Sequence, residues 1–224
     1  MPPSFFVDHW LDDDPVSCGY QVGLCAGRLQ HSRAPSITEK PVMPEGLHPP
    51  LDFILDDTNW LDYRQFQTSS EFRQHCEALS LRGLFTGYLG RLELGEVGVE
   101  LVQQDVIVEM PETNRRDVRI RAGSSLAAIA STLISEQVLQ SESWLNTLGN
   151  RPIGEMLESK LGAQRADIRY AAIESDSALF ENFPNEPALW GRRYLYKFDS
   201  GELSITEIIA DSIVARLFQS AVRP

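Results

Sequence analysis

"ALWGRRYLYKFDSGELSITE", residues 188–207, carries the most informative pattern in this chain of 224 residues. A tryptophan and Gly191 lead into two arginines, Arg192 and Arg193, and two runs of strand-forming residues follow. Glu207 ends the stretch, inside the aliphatic segment "SITEIIAD". Runs of β-branched and aromatic residues that alternate with a period of two are typical of strands. The stretch therefore predicts two strands that carry charged side chains.

The same period recurs on both sides of this stretch. "VGVELVQQDVIVEM" (97–110) and "RDVRIRAGSSLAAIASTLI" (116–134) predict antiparallel strands, the second segment being a hairpin that turns at Gly123 and Ser124, and "DIRYAAIES" predicts a further strand. Helices are predicted over 68–79, over 153–162, where Gly162 would end the helix, and in "SIVARLFQSAV" near the end of the chain. Strands in series with helices gathered on one face predict an α+β fold on a single antiparallel sheet.

Composition limits the classes of function. The net charge is −12 with dispersed acids, which repels nucleic-acid phosphate, so no nucleic-acid partner is expected. No apolar run approaches the roughly 18 residues of a membrane helix, and the first residues lack the pattern of a signal peptide, so we expect no membrane partner and a cytoplasmic location. The cysteines and histidines show no metal-ligand spacing, and we expect neither a metal nor a cofactor.

The first part of the chain differs from the rest. Its apolar periodicity is poor and its prolines recur at positions 2, 3, 15, 35, 41, 44, 49 and 50. We predict a proline-rich, loop-rich arm over residues 1–65 that wraps a domain formed by residues 66–224. The expected assembly is a monomer or a weak dimer.

Arg116 is the first candidate for a functional residue. In a strand, it shares a face with Val118 and Ile120, whereas Asp117 and Arg119 face the other way, towards water. A buried guanidinium is costly without an anionic partner, which could be a protein group or a ligand. The alternative is an arginine near a strand end whose side chain extends out to solvent.

Glu207 raises the same question, because it shares its strand face with Leu203, Ile205 and Ile209. Desolvation by aliphatic neighbours favours a neutral acid, which could donate a hydrogen bond or carry a proton. The alternative is a carboxylate that pairs with Arg192 or Arg193.

"LGNRPIGEML" (148–157) predicts a turn followed by the start of a helix. Pro152 suits a first helical position, and Gly154 allows the backbone to approach a neighbour or a ligand. The free N–H groups of such a start suit an anion or a phenolic oxygen.

Taken together and in this order, these motifs resemble the chorismate lyase family, the chorismate–pyruvate lyases that form 4-hydroxybenzoate. The matching features are Arg116-Asp117 at the start of a hairpin, "LGNRPIG" from Leu148 to Gly154, "WGRR" from Trp190 to Arg193, and Thr206-Glu207. The resemblance covers about residues 84–215. It implies a single antiparallel sheet with helices on one face and an enclosed ligand cavity.

The resemblance also implies a function and a site. The reaction would be the cofactor-free conversion of chorismate to 4-hydroxybenzoate and pyruvate, with an aromatic or cyclohexadiene carboxylate as the ligand. Arg116 would bind the ring carboxylate and Glu207 the oxygen at the far end of the ring, these two being the catalytic residues. Ile153 and Gly154 would contact the substrate at the helix start, and Trp190 and Arg193 would pack and neutralise charge around the cavity.

Two departures from the family pattern keep other functions open. "FTGYLGRL" (85–92) replaces a Ser-Met-Thr turn that lines the pocket, and "SSLAAIAST" in the hairpin lacks a tryptophan and an arginine found in relatives. These changes favour a cyclase or isomerase of a specialised biosynthetic pathway. A non-catalytic binding module for an aromatic acid is the third possibility.

Overall fold

An antiparallel sheet of six strands organises the computed structural model, which describes residues 49–69, 72–81, 85–159 and 164–222. The strands lie in the order β1-β2-β3-β6-β5-β4, so that the two hairpins β2–β3 and β5–β6 meet in the middle of the sheet. Their bounds are β1 Val97–Ile107, β2 Met110–Ala122, β3 Ser125–Ser135, β4 Gln164–Ile173, β5 Leu189–Phe198 and β6 Gly201–Ala210.

Seven α-helices are present in the described residues. They are α1 Leu51–Leu55, α2 Tyr63–Thr68, α3 Arg73–Leu79, α4 Phe85–Arg91, α5 Glu136–Ser141, α6 Ile153–Ser159 and α7 Asp211–Val222. Short 3₁₀ helices lie at Asp57–Asn59, Ser143–Thr147 and Ala178–Asn182. The predicted α+β fold with one antiparallel sheet is confirmed.

The helical face of the sheet carries the main core. Phe66 of α2 stacks on Tyr170 of β4 with ring centroids 5.1 Å apart, and His75 of α3 stacks on Trp190 of β5 at 4.0 Å. Ile213, Val214 and Leu217 of α7 are buried in the same cluster, as expected for one apolar stripe of an amphipathic helix. These contacts attach α2, α3 and α7 to one end of the sheet and leave the surface over its middle to α4 and α6.

Two predicted helices differ from the observed ones. The helix predicted over 68–79 begins only at Arg73. Thr68 instead ends the separate helix α2, which starts at a capping box between Asp62 and Gln65. The helix predicted over 153–162 is observed from Ile153 to Ser159, and its predicted end at Gly162 lies outside the described residues.

The reverse face of the sheet is covered by the segment of residues 50–60. Ile54 packs there with Leu133, and Trp60 lies against Gly191. The backbone of Leu61 then pairs with Tyr170 at the edge of the sheet, with N–O distances of 2.8 and 2.9 Å. The chain therefore passes around this edge before it reaches α2 on the helical face. The predicted arm up to residue 48 lies outside the described residues, and the boundary at residue 65 stays a prediction.

This cover corrects one expectation about strand β2. Asp117 does not face water but is buried, with its carboxylate 2.9 Å from Nε of Arg115 and 2.6 Å from Nε2 of Gln103. Arg115 in turn donates to the backbone carbonyl of Pro49. The strand phase was predicted correctly, but the predicted exposure of Asp117 is wrong because the segment around residue 50 shields that face.

Two observations concern partners. Within the described residues, no helix is both long enough and apolar enough to cross a membrane. In the same part of the chain, no three histidine, cysteine or acidic side chains gather as a metal site would require.

Candidate active site

A cavity lies on the helical face of the sheet, between the strands β2, β3, β5 and β6 and the helices α4 and α6. Its volume is about 60 Å³. Most of its surface is aliphatic or aromatic. The lining residues are Phe85, Thr86, Val99, Arg116, Val118, Ile120, Ala130, Thr132, Pro152, Ile153, Gly154, Arg192, Tyr194, Tyr196, Ile205 and Glu207.

Arg116 brings an unpaired positive charge to this cavity. Its side chain is almost fully buried, with 1% of the residue exposed. Nη2 donates to the backbone carbonyls of Gly149 (2.8 Å) and Arg151 (3.2 Å), Nε has no hydrogen-bond partner, and no described carboxylate forms an ion pair with Arg116. Burial lowers the pKa of Arg116 to about 10, although nearby Asp117 partly offsets the effect. A buried cation without a counter-ion suits an anionic ligand.

Glu207 forms a buried ion pair with Arg192. Nε of Arg192 donates to Oε2 of Glu207 at 2.8 Å, and Nη2 lies at the same distance from that oxygen without the geometry of a hydrogen bond. Burial opposes the charge on Arg192, but Glu207 and then Tyr194 raise the pKa of Arg192 above its ordinary value. The sequence left open whether Glu207 pairs with Arg192 or Arg193, and the structure shows the pair with Arg192.

Strand register explains why these charges share one cavity. Arg116 of β2 lies opposite Thr132 of β3, and Glu207 of β6 lies between Ala130 of β3 and Arg192 of β5. Residues directly opposite each other in an antiparallel sheet point to the same face. With strands about 4.8 Å apart and a rise of about 3.4 Å per residue, the Cα atoms of Arg116 and Glu207 are roughly 12 Å apart.

The predicted helix start contributes a wall beside Arg116. Ile153 and Gly154 are the first residues of α6, and both line the cavity. The N–H groups of the first helical residues have no acceptor inside the helix, so they are available to a ligand. The two carbonyls that bind Arg116 belong to the turn immediately before this helix.

Two predicted site residues lie elsewhere. Trp190 packs under the helices, where its indole N–H donates to Asp211 at 2.7 Å. Arg193 points to the reverse face, where it donates to the carbonyl of Ile54 at 2.7 Å and pairs with Asp57. Neither lines the cavity. The reason for Arg193 is the alternation of β5, which turns Arg192 towards the cavity and its neighbour away from it.

Several cavity residues were not predicted as site residues. Tyr194 and Tyr196 follow Arg192 on the same face of β5, and Thr132 lies beside Arg116. The period of two in "RRYLYKF" was the available signal for the tyrosines. Phe85 and Thr86 come from the segment that replaces the family turn, which here forms helix α4.

The fold and this cavity define an α+β protein with one antiparallel sheet and a cation-bearing cavity on its helical face. Residues 91–214 match the family described as chorismate pyruvate-lyase Rv2949c-like. The chain belongs to that family.

A more distant relative carries a similar description. The chain is similar to a probable chorismate pyruvate-lyase of Coxiella burnetii, with 26% identity over 102 residues. The match covers 44% of this chain and 55% of the relative, so the chain spans about half the length of the curated protein that it matches. The cavity residues from Val99 to Glu207 all fall within the family match.

Proposed function

We propose that this protein is a lyase that converts chorismate to 4-hydroxybenzoate and pyruvate. Membership of the chorismate pyruvate-lyase family supports the reaction class. The observation that carries the proposal is Arg116, a buried guanidinium without a counter-ion that faces the same cavity as Glu207. A protein domain gains no stability from an uncompensated buried charge, so its presence is best explained by an anionic ligand.

The proposed substrate is a six-membered ring with a carboxylate at one end and a hydroxyl group at the opposite end. Arg116 binds the carboxylate through charge-assisted hydrogen bonds from the N–H groups that the carbonyls of Gly149 and Arg151 leave free, which include Nε–H. Oε1 of Glu207, which has no described partner, accepts a hydrogen bond from the ring hydroxyl. The aliphatic side chains of Val118, Ile120 and Ile205 contact the ring faces.

Local charge supports an anionic ligand despite the acidic chain. The charged residues that line the cavity are Arg116, Arg192 and Glu207, and two cations minus one anion leave one positive charge. The protein as a whole carries −12. The cavity is therefore locally positive although the chain as a whole is negative. Because charges in a buried site are poorly screened, this positive charge attracts an anionic ligand more strongly than it would at the surface.

The chemistry needs little more than position and charge. The ether bond between the ring and the enolpyruvyl group breaks, and so does the C–H bond at the ring carbon that bears the hydroxyl. Transfer of that hydrogen to the methylene carbon of the enolpyruvyl group gives the methyl group of pyruvate, and the ring becomes aromatic. All atoms and electrons balance within the substrate. The protein supplies orientation and a preorganised cation at the ring carboxylate.

Turnover of chorismate tests the proposal. Purified protein should release pyruvate and 4-hydroxybenzoate in equal amounts, measured by a coupled dehydrogenase assay and by chromatography. Consumption of chorismate with a different aromatic or cyclic product would support the cyclase or isomerase alternative. Binding of 4-hydroxybenzoate without any consumption of chorismate would support a non-catalytic binding module. Either result would reject the lyase.

A further inference from the structure

The side chain of Arg192 is held in place on every side. Its Nε bonds to Oε2 of Glu207, and its Nη1 donates to the backbone carbonyl of Leu79 at 3.2 Å. The guanidinium also lies over the rings of Tyr194 at 4.8 Å and Phe85 at 5.5 Å. With 2% of the residue exposed, the side chain of Arg192 cannot change its conformation when a ligand binds. Its positive charge stays beside Glu207.

The pair therefore presents a particular chemistry to the cavity. Its charges cancel, and Arg192 occupies only one carboxylate oxygen, Oε2. The remaining oxygen is a strong hydrogen-bond acceptor within a pair that has no net charge. A neutral donor such as a hydroxyl group can use this acceptor at no electrostatic cost. An ammonium group would gain the attraction of Glu207 but would also meet the fixed positive charge of Arg192.

We propose that Arg192 determines specificity, because its pairing with Glu207 makes the site select rings that carry a hydroxyl group opposite the carboxylate over rings that carry an ammonium group there. The inference rests on the proposed function for the placement of the ring, with its carboxylate at Arg116. It adds a discrimination between two classes of substrate that have the same shape and differ in charge at one position.

A lone carboxylate in the same place would behave in the opposite way. A buried anion without a partner favours a cation, since the pairing restores the charge balance lost on desolvation. Replacing Arg192 with an apolar side chain of similar length should therefore turn the site towards ammonium ligands. Replacing Glu207 with glutamine should have the reverse effect, because the amide keeps a polar partner for the hydroxyl while Arg192 becomes an unbalanced cation.

Two saturated ring acids form a matched pair of probes. Trans-4-hydroxycyclohexane-1-carboxylate and trans-4-aminocyclohexane-1-carboxylate share their shape and carboxylate, and the amino group of the second is protonated at pH 7. The ratio of their dissociation constants, measured by calorimetric titration, isolates the charge at the far end of the ring. Wild-type protein should bind the hydroxy acid about tenfold more tightly or better, because an ammonium group loses its hydration in the buried site without gaining a net opposite charge.

The variants give opposite shifts in this ratio. Arg192→Met should move it towards the amino acid by about tenfold or more, and Glu207→Gln should move it further towards the hydroxy acid. Arg192→Lys keeps the charge and should keep the wild-type preference. If Arg192→Met does not fold, as judged by circular dichroism, the Glu207→Gln and Arg192→Lys results decide. Equal binding of the two probes by wild-type protein, or a ratio unchanged in the folded Arg192→Met and Glu207→Gln variants, would overturn the inference.

Chorismate turnover by the same preparations separates this inference from the proposed function. Turnover with equal probe binding rejects the role of Arg192 alone. The predicted ratios without turnover reject the lyase reaction and leave the selectivity of the site supported. Failure of wild-type protein to bind either acid rejects the selectivity, and chorismate turnover then decides the lyase reaction separately.

Discussion

Replacing Arg116 with methionine should remove ligand binding and leave the fold almost as stable as before. Burial lowers the pKa of the guanidinium from its ordinary value to about 10. Below pH 10 the group is charged in both folded and unfolded protein, so this difference is a cost to the folded state of about 3 kcal/mol. The two hydrogen bonds to the carbonyls of Gly149 and Arg151 return about 1.5 kcal/mol each. These amounts nearly cancel, and the free energy of unfolding should change by about 1 kcal/mol or less.

The effect on the ligand should be far larger. A charge-assisted pair with a carboxylate is worth about 1.5–3 kcal/mol, which corresponds to roughly a ten- to hundredfold rise in the Kd for 4-hydroxybenzoate. Calorimetric titration gives that Kd, and urea denaturation gives the free energy of unfolding. Arg119→Met is the matched control, because Arg119 lies on the same strand but faces the other side of the sheet. A Kd for Arg116→Met within twofold of the wild-type value, or an equal loss in Arg119→Met, would refute the reasoning.

Three further outcomes follow from the packing. Glu207→Gln and Arg192→Met should each lower the free energy of unfolding by about 3 kcal/mol, because each single change leaves a buried charge unpaired. The double variant should lose less than the sum of the two. Additive losses in urea denaturation would contradict the ion pair between these residues. Burial lowers the pKa of His75, although Asp211 opposes the effect. As the pH drops below about 6.5, the unfolded chain therefore binds the proton first, and the free energy of unfolding should fall. His75→Gln should reduce this pH dependence, and an unchanged pH profile would exclude His75 as its source. A methyl group on Gly191 would lie 3.0 Å from the Trp60 ring. Gly191→Ala should therefore lower the free energy of unfolding by about 1–3 kcal/mol, measured by thermal or urea denaturation. A variant with unchanged stability would argue against the packing of Trp60 on the reverse face.

Strand phase was the most reliable information in the sequence. The period of two correctly placed Arg116, Val118 and Ile120 on one face, and it placed Glu207 on the same face as Ile205, which lines the same cavity. The pairing of Glu207 with Arg192 could also have been predicted from the sequence. Phe198 pairs with Gly201 across a two-residue turn, and counting back along both strands from that turn brings Arg192 opposite Glu207. A register counted in this way would have favoured Arg192 over Arg193 as the cavity arginine.

Other features depend on contacts that strand patterns do not encode. Asp117 is buried because residues near position 50 return to cover the reverse face, and no local signal in β2 announces such a cover. The register of the β2–β3 hairpin shifts between Ile120 and Arg121, so counting from its turn would have paired Arg116 with the wrong residue. The ion pair of Glu207 likewise joins it to a residue on the neighbouring strand and not to a residue nearby along the chain.

The structure of the protein with 4-hydroxybenzoate bound would test the central claim most directly. The claim is that Arg116 and the Arg192–Glu207 pair bind the two ends of one ring in a single cavity. The account predicts the carboxylate within hydrogen-bonding distance of the Arg116 guanidinium and the hydroxyl group within that distance of Oε1 of Glu207, with the side chain of Arg192 unmoved. A ring bound in the reverse orientation, or bound outside this cavity, would contradict it.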